Sequence, residues 1–170
     1  MPATSFDPLF TRVYEVLVDG AGAARTLSAA QRFGDEWYPD LPDEQLSIIA
    51  RSKKRVWCAL SGATPALEHE TTSTRSYWIT LALSMAYFLE PPARVDSQWR
   101  TLAGTMATDV HLVRGALTWP GNLSQTEAAA ETGLADGKLE FLDWTPVTPN
   151  GTARVWRANA RYRGLITLTH

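Results

Sequence analysis

The residue types that could bind a metal or carry out catalysis are few in this sequence and lie far apart. The histidines His69, His111 and His170 and the single cysteine, Cys58, lack the paired spacing that brings several ligands to one metal ion. The sequence also contains no Gly-x-Ser-x-Gly turn, no phosphate-binding glycine loop and no activated-cysteine motif. It therefore predicts no catalytic residues, no cofactor and no metal site, and we expect a protein that is not an enzyme.

Arginines near the C-terminus are the sharpest chemical feature. Residues 154–170 contain four Arg and no acid, whereas residues 1–50 contain three Arg and eight acids. The C-terminal set is Arg154, Arg157, Arg161 and Arg163. On a strand the last three share one face, opposite an apolar face. Three interpretations fit: a charged strand that resists aggregation, a basic surface for a neighbouring subunit, or a surface for nucleic acid. A net charge of -2 favours protein contact over DNA.

Two tryptophans, Trp37 and Trp119, fall in segments predicted to be loops. Aromatic side chains are enriched at the energetic centres of protein interfaces, so both are candidate contacts with a neighbouring subunit or partner. The alternative is that both fold back and cover the sheet. With the four arginines they make up the predicted contact residues.

Length and composition indicate one globular domain spanning residues 1–170. Hydrophobic residues make up 45% of the chain and charged residues 20%, which are ordinary globular values. Cys58 has no intrachain partner, which favours folding in a reducing, cytoplasmic environment. The N-terminus lacks the features of a signal peptide, and the longest nearly uncharged stretch, residues 76–89, is too short to span a membrane.

The first third of the chain predicts a helix followed by short strands and a loop. Asp7 and Pro8 have the types expected at a helix start, with Asp7 as the cap, and the apolar pattern predicts a helix over 8–18. A strand over 25–33 and a long loop over 34–45 are expected to follow, and a short helical turn after Pro42 is an alternative within the loop. Residues 46–50 fit a helix or a strand, and we favour a strand that leads into another at 56–60.

The rest of the chain carries the clearest periodicity. Residues 75–88 alternate between two faces, which predicts a central strand, and residues 96–117 have the spacing of a helix packed on the sheet. A long loop over 118–137 contains a predicted short helix at 124–130. Strands over 138–147 and 154–168 then form a closing hairpin, with a bulge near Asn159 or Gly164. The predicted fold is α+β, with a mostly antiparallel sheet of four to five strands and two main helices.

This order of elements resembles the tail terminator proteins of long-tailed bacteriophages. The resemblance also rests on two segments. One is Arg-Phe-Gly-Asp at residues 32–35, and the other is the end of the closing strand, Arg-Tyr-Arg-Gly-Leu-Ile-Thr-Leu-Thr at residues 161–169. It implies a subunit that closes into a hexameric ring on the last tail-tube ring, stops tube polymerisation and provides the surface that joins tail to head. The implied location is the tail or neck of a virion, after folding and assembly in the host cytoplasm.

The implied partners are other copies of the chain, the tail tube protein and a head-closure or connector protein. DNA is implied only as the genome passing through the ring, and no membrane is involved. Two alternatives remain open. One is another head-closure, neck or tube-related structural protein. The other is a small-molecule enzyme or binding module with a pocket between the second main helix and the sheet.

Overall fold

The computed structural model describes residues 2–20, 25–34, 37, 41–89, 95–147 and 154–169, with the backbone alone for 95–99. It has the predicted α+β fold, with three α-helices and a four-stranded antiparallel sheet in this part of the chain. The helices are α1 (Asp7–Tyr14, continued by a π-helical turn, Glu15–Asp19), α2 (Asp43–Ser52) and α3 (Val95–Leu117). The strands are β1 (Arg55–Pro65), β2 (Thr74–Phe88), β3 (Glu140–Val147) and β4 (Val155–Thr169).

The strand order in the sheet is β1-β2-β4-β3, with every neighbouring pair antiparallel. The predicted central strand and closing hairpin are confirmed, although the turn at 148–152 lies outside the described residues. The predicted bulge near Asn159 or Gly164 is wrong. Instead β4 keeps continuous register with β2, and the register shifts fall on the edge strands, at Leu142 of β3 and Ser61 of β1. A strand bonded on both sides has less freedom for an extra residue than an edge strand.

The main core lies between one face of the sheet and the helices α1 and α3, and this face is called the covered face below. Alternation along β2 and β4 sends every second residue to this side. Its buried residues include Ile79, Leu81, Leu83 and Met85 of β2, Ala158, Ala160, Tyr162 and Ile166 of β4, and Leu9, Val13, Met106, Val110 and Val113 of the helices. Alanines on β4 leave room for the larger side chains of β2 and the helices.

A buried ion pair connects α3 to the start of β1. Lys54 Nζ lies 2.7 Å from Asp109 Oδ1, and the two side chains are 16% and 6% exposed. Lys54 also lies over the ring of Phe33, 4.5 Å from its centroid. Burial raises the pKa of the Tyr87 hydroxyl, and the charge of Asp109 adds to this effect. Removing one partner would leave a buried charge unpaired, so the pair helps to fix α3 on the sheet.

The first helix lies where the sequence predicts, but its cap differs. Asp7 is the first helical residue rather than the cap. Its backbone amide donates to Ser5 Oγ at 3.3 Å, so a serine two residues earlier satisfies this free amide. No helix in the described part of the chain is long and apolar enough to cross a membrane.

Two predicted strands are wrong. Residues 25–33 form irregular chain with a turn at 29–31, and single apolar side chains, Leu27 and Phe33, anchor this segment to the core. Residues 46–50 belong to α2, where Leu46 and Ala50 are buried at the i, i+4 spacing of one helix face. Only one face of this segment is covered, and a helix with one apolar face accounts for the same apolar residues that suggested a strand.

The connection from α3 to β3 is ordered by side-chain hydrogen bonds. Asn122 Nδ2 donates to the carbonyls of Arg25 and Ala116 at 2.7 and 2.9 Å. The predicted helix at 124–130 is wrong, because Thr126 Oγ1 accepts the amide of Ala130 and a bridge joins residues 125 and 131. Threonine hydroxyls that bond nearby backbone compete with helix formation.

Candidate interaction surface

The second face of the sheet is covered at one end only. Here α2 and Trp37 pack against the sheet through a small apolar cluster whose buried members are Trp37, Leu46, Ala86 and Val155. The rest of this face is called the open face. By the strand register it displays Trp57 and Ala59 of β1, Trp78, Thr80, Ala82 and Ser84 of β2, and Arg157, Asn159, Arg161 and Arg163 of β4. Trp57 lies at the boundary, because it is partly buried and also packs against the apolar cluster.

Three of the four predicted arginines lie together on the open face, as the alternation predicts. The Arg157 guanidinium donates through Nη2 to Asp43 Oδ1 at 2.7 Å, which ties β4 to the start of α2. Arg161 holds Asp143 of β3 in a two-point contact, with Nε 2.9 Å from Oδ1 and Nη2 on Oδ2. Arg154 immediately precedes the first residue of β4 and is exposed.

Arg163 has an aromatic partner. Its guanidinium carbon lies 4.2 Å from the ring centroid of Trp78. On the same indole, Nε1 donates to Glu68 Oε1 at 3.4 Å. Hydrogen bonds from the backbone and from Trp78 lower the pKa of Glu68. Trp78 therefore connects β4 with the turn between β1 and β2.

The acidic N-terminal third and the basic C-terminal strand meet within one chain. Asp43, the first residue of α2, is one of the eight acids in residues 1–50. Its carboxylate forms an ion pair with Arg157 of β4. The hydrogen bond from Arg161 holds the pKa of Asp143 below its usual value, and Asp143 in turn raises the pKa of Arg161. Two of the four C-terminal arginines, Arg157 and Arg161, are thus paired with carboxylates of their own subunit.

A cavity of about 360 Å³ opens on this face beside α2. Trp37 and Trp57 line it on one side, and Arg157 and Arg161 line it on the other. Short side chains form its floor, where Ser84 Oγ donates to Asn159 Oδ1 at 2.7 Å. Aromatic faces next to guanidinium groups are the composition typical of protein contact sites.

The two predicted contact tryptophans are in different environments. Trp37 is 6% exposed and covers the sheet, which corresponds to the alternative in which it folds back. Trp119 is 43% exposed after the last turn of α3, with the Arg25 guanidinium 5.2 Å from its ring centroid. Because α3 packs on the covered face, Trp119 does not join the arginines on the open face.

Sequence reasoning missed Trp57 and Trp78 as members of this surface. The alternation that placed the arginines on one face could also have placed these two tryptophans there, because one face of a sheet consists of every second residue of each strand. What the sequence lacked was the register, which places Trp57 opposite Ser84 and Trp78 opposite Leu165.

A second cavity, of about 430 Å³, lies between α1 and β1 and is lined by Asp7, Phe10, Thr11, Tyr14, Cys58 and Ala59. Neither of these two cavities lies between α3 and the sheet, where a small-molecule pocket is the alternative expectation. In the described ranges no three His, Cys, Asp or Glu side chains are grouped so as to hold a metal ion.

Solved structures include chains similar to this one. No family model matches the sequence. No curated protein matches it. A chain in a structure described as the virion of a native gene transfer agent particle is similar at a TM-score of 0.47 and 14% identity. That similarity covers 96% of this chain and 95% of the other.

Proposed function

We propose that the protein is a structural subunit of a phage-like virion tail or neck, and specifically a tail terminator that associates with copies of itself in a ring. The observation that carries the proposal of assembly is the open face, the part of the second sheet face that α2 and Trp37 leave uncovered, with its tryptophans and its hydrogen-bonded or stacked arginines. The ring and the terminator role rest on the resemblance in element order and closing strand described above.

The composition of the open face supports contact with protein. Sheets in α+β folds pack one or both faces against other layers, and here α2 covers only one end of the second sheet face and leaves the open face without a layer of its own chain in the described residues. Trp57 and Trp78 remain partly exposed beside the arginines of β4. Tryptophan and arginine are the residue types that most often carry binding energy in protein interfaces.

The arginines on this face are also held in place before any partner arrives. Asp143 fixes Arg161 through two hydrogen bonds, and Trp78 supports the plane of Arg163. A guanidinium with a fixed geometry loses less side-chain entropy when it docks, so more of the contact energy remains for association. Each guanidinium has five N–H donors, so one carboxylate leaves others for a neighbour.

A charge exchange between Arg161 and Asp143 tests whether Arg161 contacts a neighbouring subunit or only stabilises its own. Arg161→Asp alone breaks the pair with Asp143, whereas Arg161→Asp combined with Asp143→Arg restores the pair and reverses its direction on the surface. We expect both variants to lose ring formation in sedimentation and negative-stain images, while the double variant melts like the wild type. Arg75→Asp, at an exposed arginine outside the open face, is the matched control and should assemble normally.

Normal rings from the double variant would show that Arg161 serves the fold of its own subunit only. A wild-type chain that stays monomeric at every concentration, both free and with assembled tail tubes, would contradict the proposed function itself. A saturable small ligand bound by such a monomer would favour the alternative of a binding module.

A further inference from the structure

The outer edge of β1 is uncovered along half of its length. Its first half is protected, because Gly34 bridges to Arg55 and the Cys58 amide donates to the Tyr14 hydroxyl at 2.9 Å. From Leu60 to Pro65 every residue is exposed. In the described part of the chain β1 is the end strand of the sheet, and residues 56–66 contain no charged side chain.

Such an edge is unusual for a protein that remains alone. Free strand edges pair with other strands, so natural proteins protect them with charges, prolines or bulges. Over Leu60–Pro65 the protection is limited to one bulge and the final proline. The opposite edge, β3, carries Glu140, Asp143 and Pro146, but it also exposes Leu142 by 44% and Val147 by 37%.

Strand directions show how two copies could join. Because neighbouring strands are antiparallel in the order β1-β2-β4-β3, β1 and β4 run one way and β2 and β3 run the other. The β3 strand of one copy placed beside β1 of the next is therefore antiparallel without either copy being turned over. A contact between two different patches repeats from copy to copy and closes into a ring when the rotation allows.

We propose that the Leu60–Pro65 edge of β1 pairs with β3 of a second copy, so that the sheets of neighbouring subunits join edge to edge. The inference rests on the proposed function, since it assigns a contact of the proposed ring. Pairing would use Glu140–Thr145, because Pro146 has no amide to donate. It would cover Leu60 and Leu142, whereas pairing of β1 with β1 would end at a dimer and leave Leu142 exposed.

Two substitutions block this edge without touching the core. The Leu60 amide points away from β2, as the Cys58 amide two residues earlier does, so Leu60→Pro removes an outer donor and no bond to β2. A Cβ added at Gly62 meets no atom within 4 Å, so Gly62→Lys places a charge at the edge without a clash. Leu60→Val keeps the amide and is the matched control.

We expect Leu60→Pro and Gly62→Lys to weaken self-association by at least about tenfold in sedimentation velocity. Their circular dichroism should match the wild type, and Leu60→Val should assemble normally. In wild-type rings, hydrogen exchange of the Leu60 amide and of amides within Glu140–Thr145 should slow on assembly. If the wild type forms rings and both edge variants form them equally well, the edge contact is wrong while the proposed function stands.

A wild type that stops at a dimer, which Leu60→Pro dissolves, would overturn β3 as the partner strand. A wild type that never associates would overturn the proposed function, and the edge contact with it.

Discussion

The arginines of β4 illustrate how one side chain can serve both the fold and a surface. Arg161 spans from β4 to Asp143 on the edge strand, and Arg157 reaches Asp43 at the start of α2. Each pair therefore connects two elements and also fixes a guanidinium on the open face. Exposed ion pairs contribute little stability by themselves, so their value here lies mainly in holding the geometry.

The Arg161–Asp143 pair predicts a pH-dependent signal. The pKa of Asp143 is held below its usual value of 3.8, mainly by the hydrogen bond from Arg161. A lowered pKa means that the pair stabilises the fold at pH values above the usual pKa of Asp143. This contribution is lost as the pH falls through the pKa that Asp143 has in the folded state. In an NMR titration the Asp143 carboxyl should titrate below 3.8, and Arg161→Gln should return it to the usual range.

Arg163→Gln is the comparison for this titration, because Arg163 stacks on Trp78 rather than bonding Asp143. It should leave the Asp143 midpoint close to the wild-type position. An unchanged midpoint in Arg161→Gln would mean that the two side chains do not pair in solution.

Among the elements, the connection between α3 and β3 closely approaches β4 at Gly133. The carbonyl of Gly133 accepts the amide of Thr167 at 2.8 Å. The residue has a φ of +73°, and an added Cβ would lie 2.3 Å from the Thr167 carbonyl oxygen. Both the backbone angle and the space require glycine at this position.

Gly133→Ala should therefore lower the free energy of unfolding by about 2 kcal/mol or more. Gly104 is the matched control, since it is exposed on α3 and an added Cβ there meets nothing within 4 Å. Gly104→Ala should raise the free energy of unfolding by about 0.5–1 kcal/mol through helix propensity. Urea unfolding of both variants measures the difference, and equal stabilities would contradict the close approach.

The elements that the sequence predicted well are those whose two sides face different surroundings over a long stretch. Residues 75–88 alternate because one set of side chains packs against α1 and α3 while the other set lies on the opposite face of the sheet. The period of two is therefore visible in the sequence. Residues 46–50 are too short to separate a period of two from a helical face. The arginine face was predictable, but its internal partners were not, because Asp43 and Asp143 approach only through tertiary packing.

At the scale of the whole molecule, part of the charge asymmetry along the chain is balanced within the subunit. From the sequence, a basic surface for a neighbouring subunit was one interpretation of the C-terminal arginines. The Asp43–Arg157 pair instead brings the two ends together in one copy. In the proposed ring, a neighbour would make short-range contact through hydrogen bonds, aromatic rings and strand edges.

Self-association should accordingly depend only weakly on salt. We expect the association constant to change by less than about tenfold between low and high ionic strength, because contacts removed from water are screened much less than exposed charges. Sedimentation across a salt series measures this. A steep loss of rings with added salt would mean that unpaired charges on facing subunits drive assembly.

The pairing of β2 with β4 has a consequence for how the protein is made. These central strands join residues 74–88 to 155–169, so the longest ladder of the sheet connects parts of the chain about half its length apart. While the ribosome has yet to release β4, β2 has only β1 beside it, and the core lacks Ala158, Ala160 and Tyr162. Long-range pairing of this kind forms late and slowly. A nascent chain would thus lack the surfaces on which subunits of the proposed ring meet, so association would wait until each copy has folded.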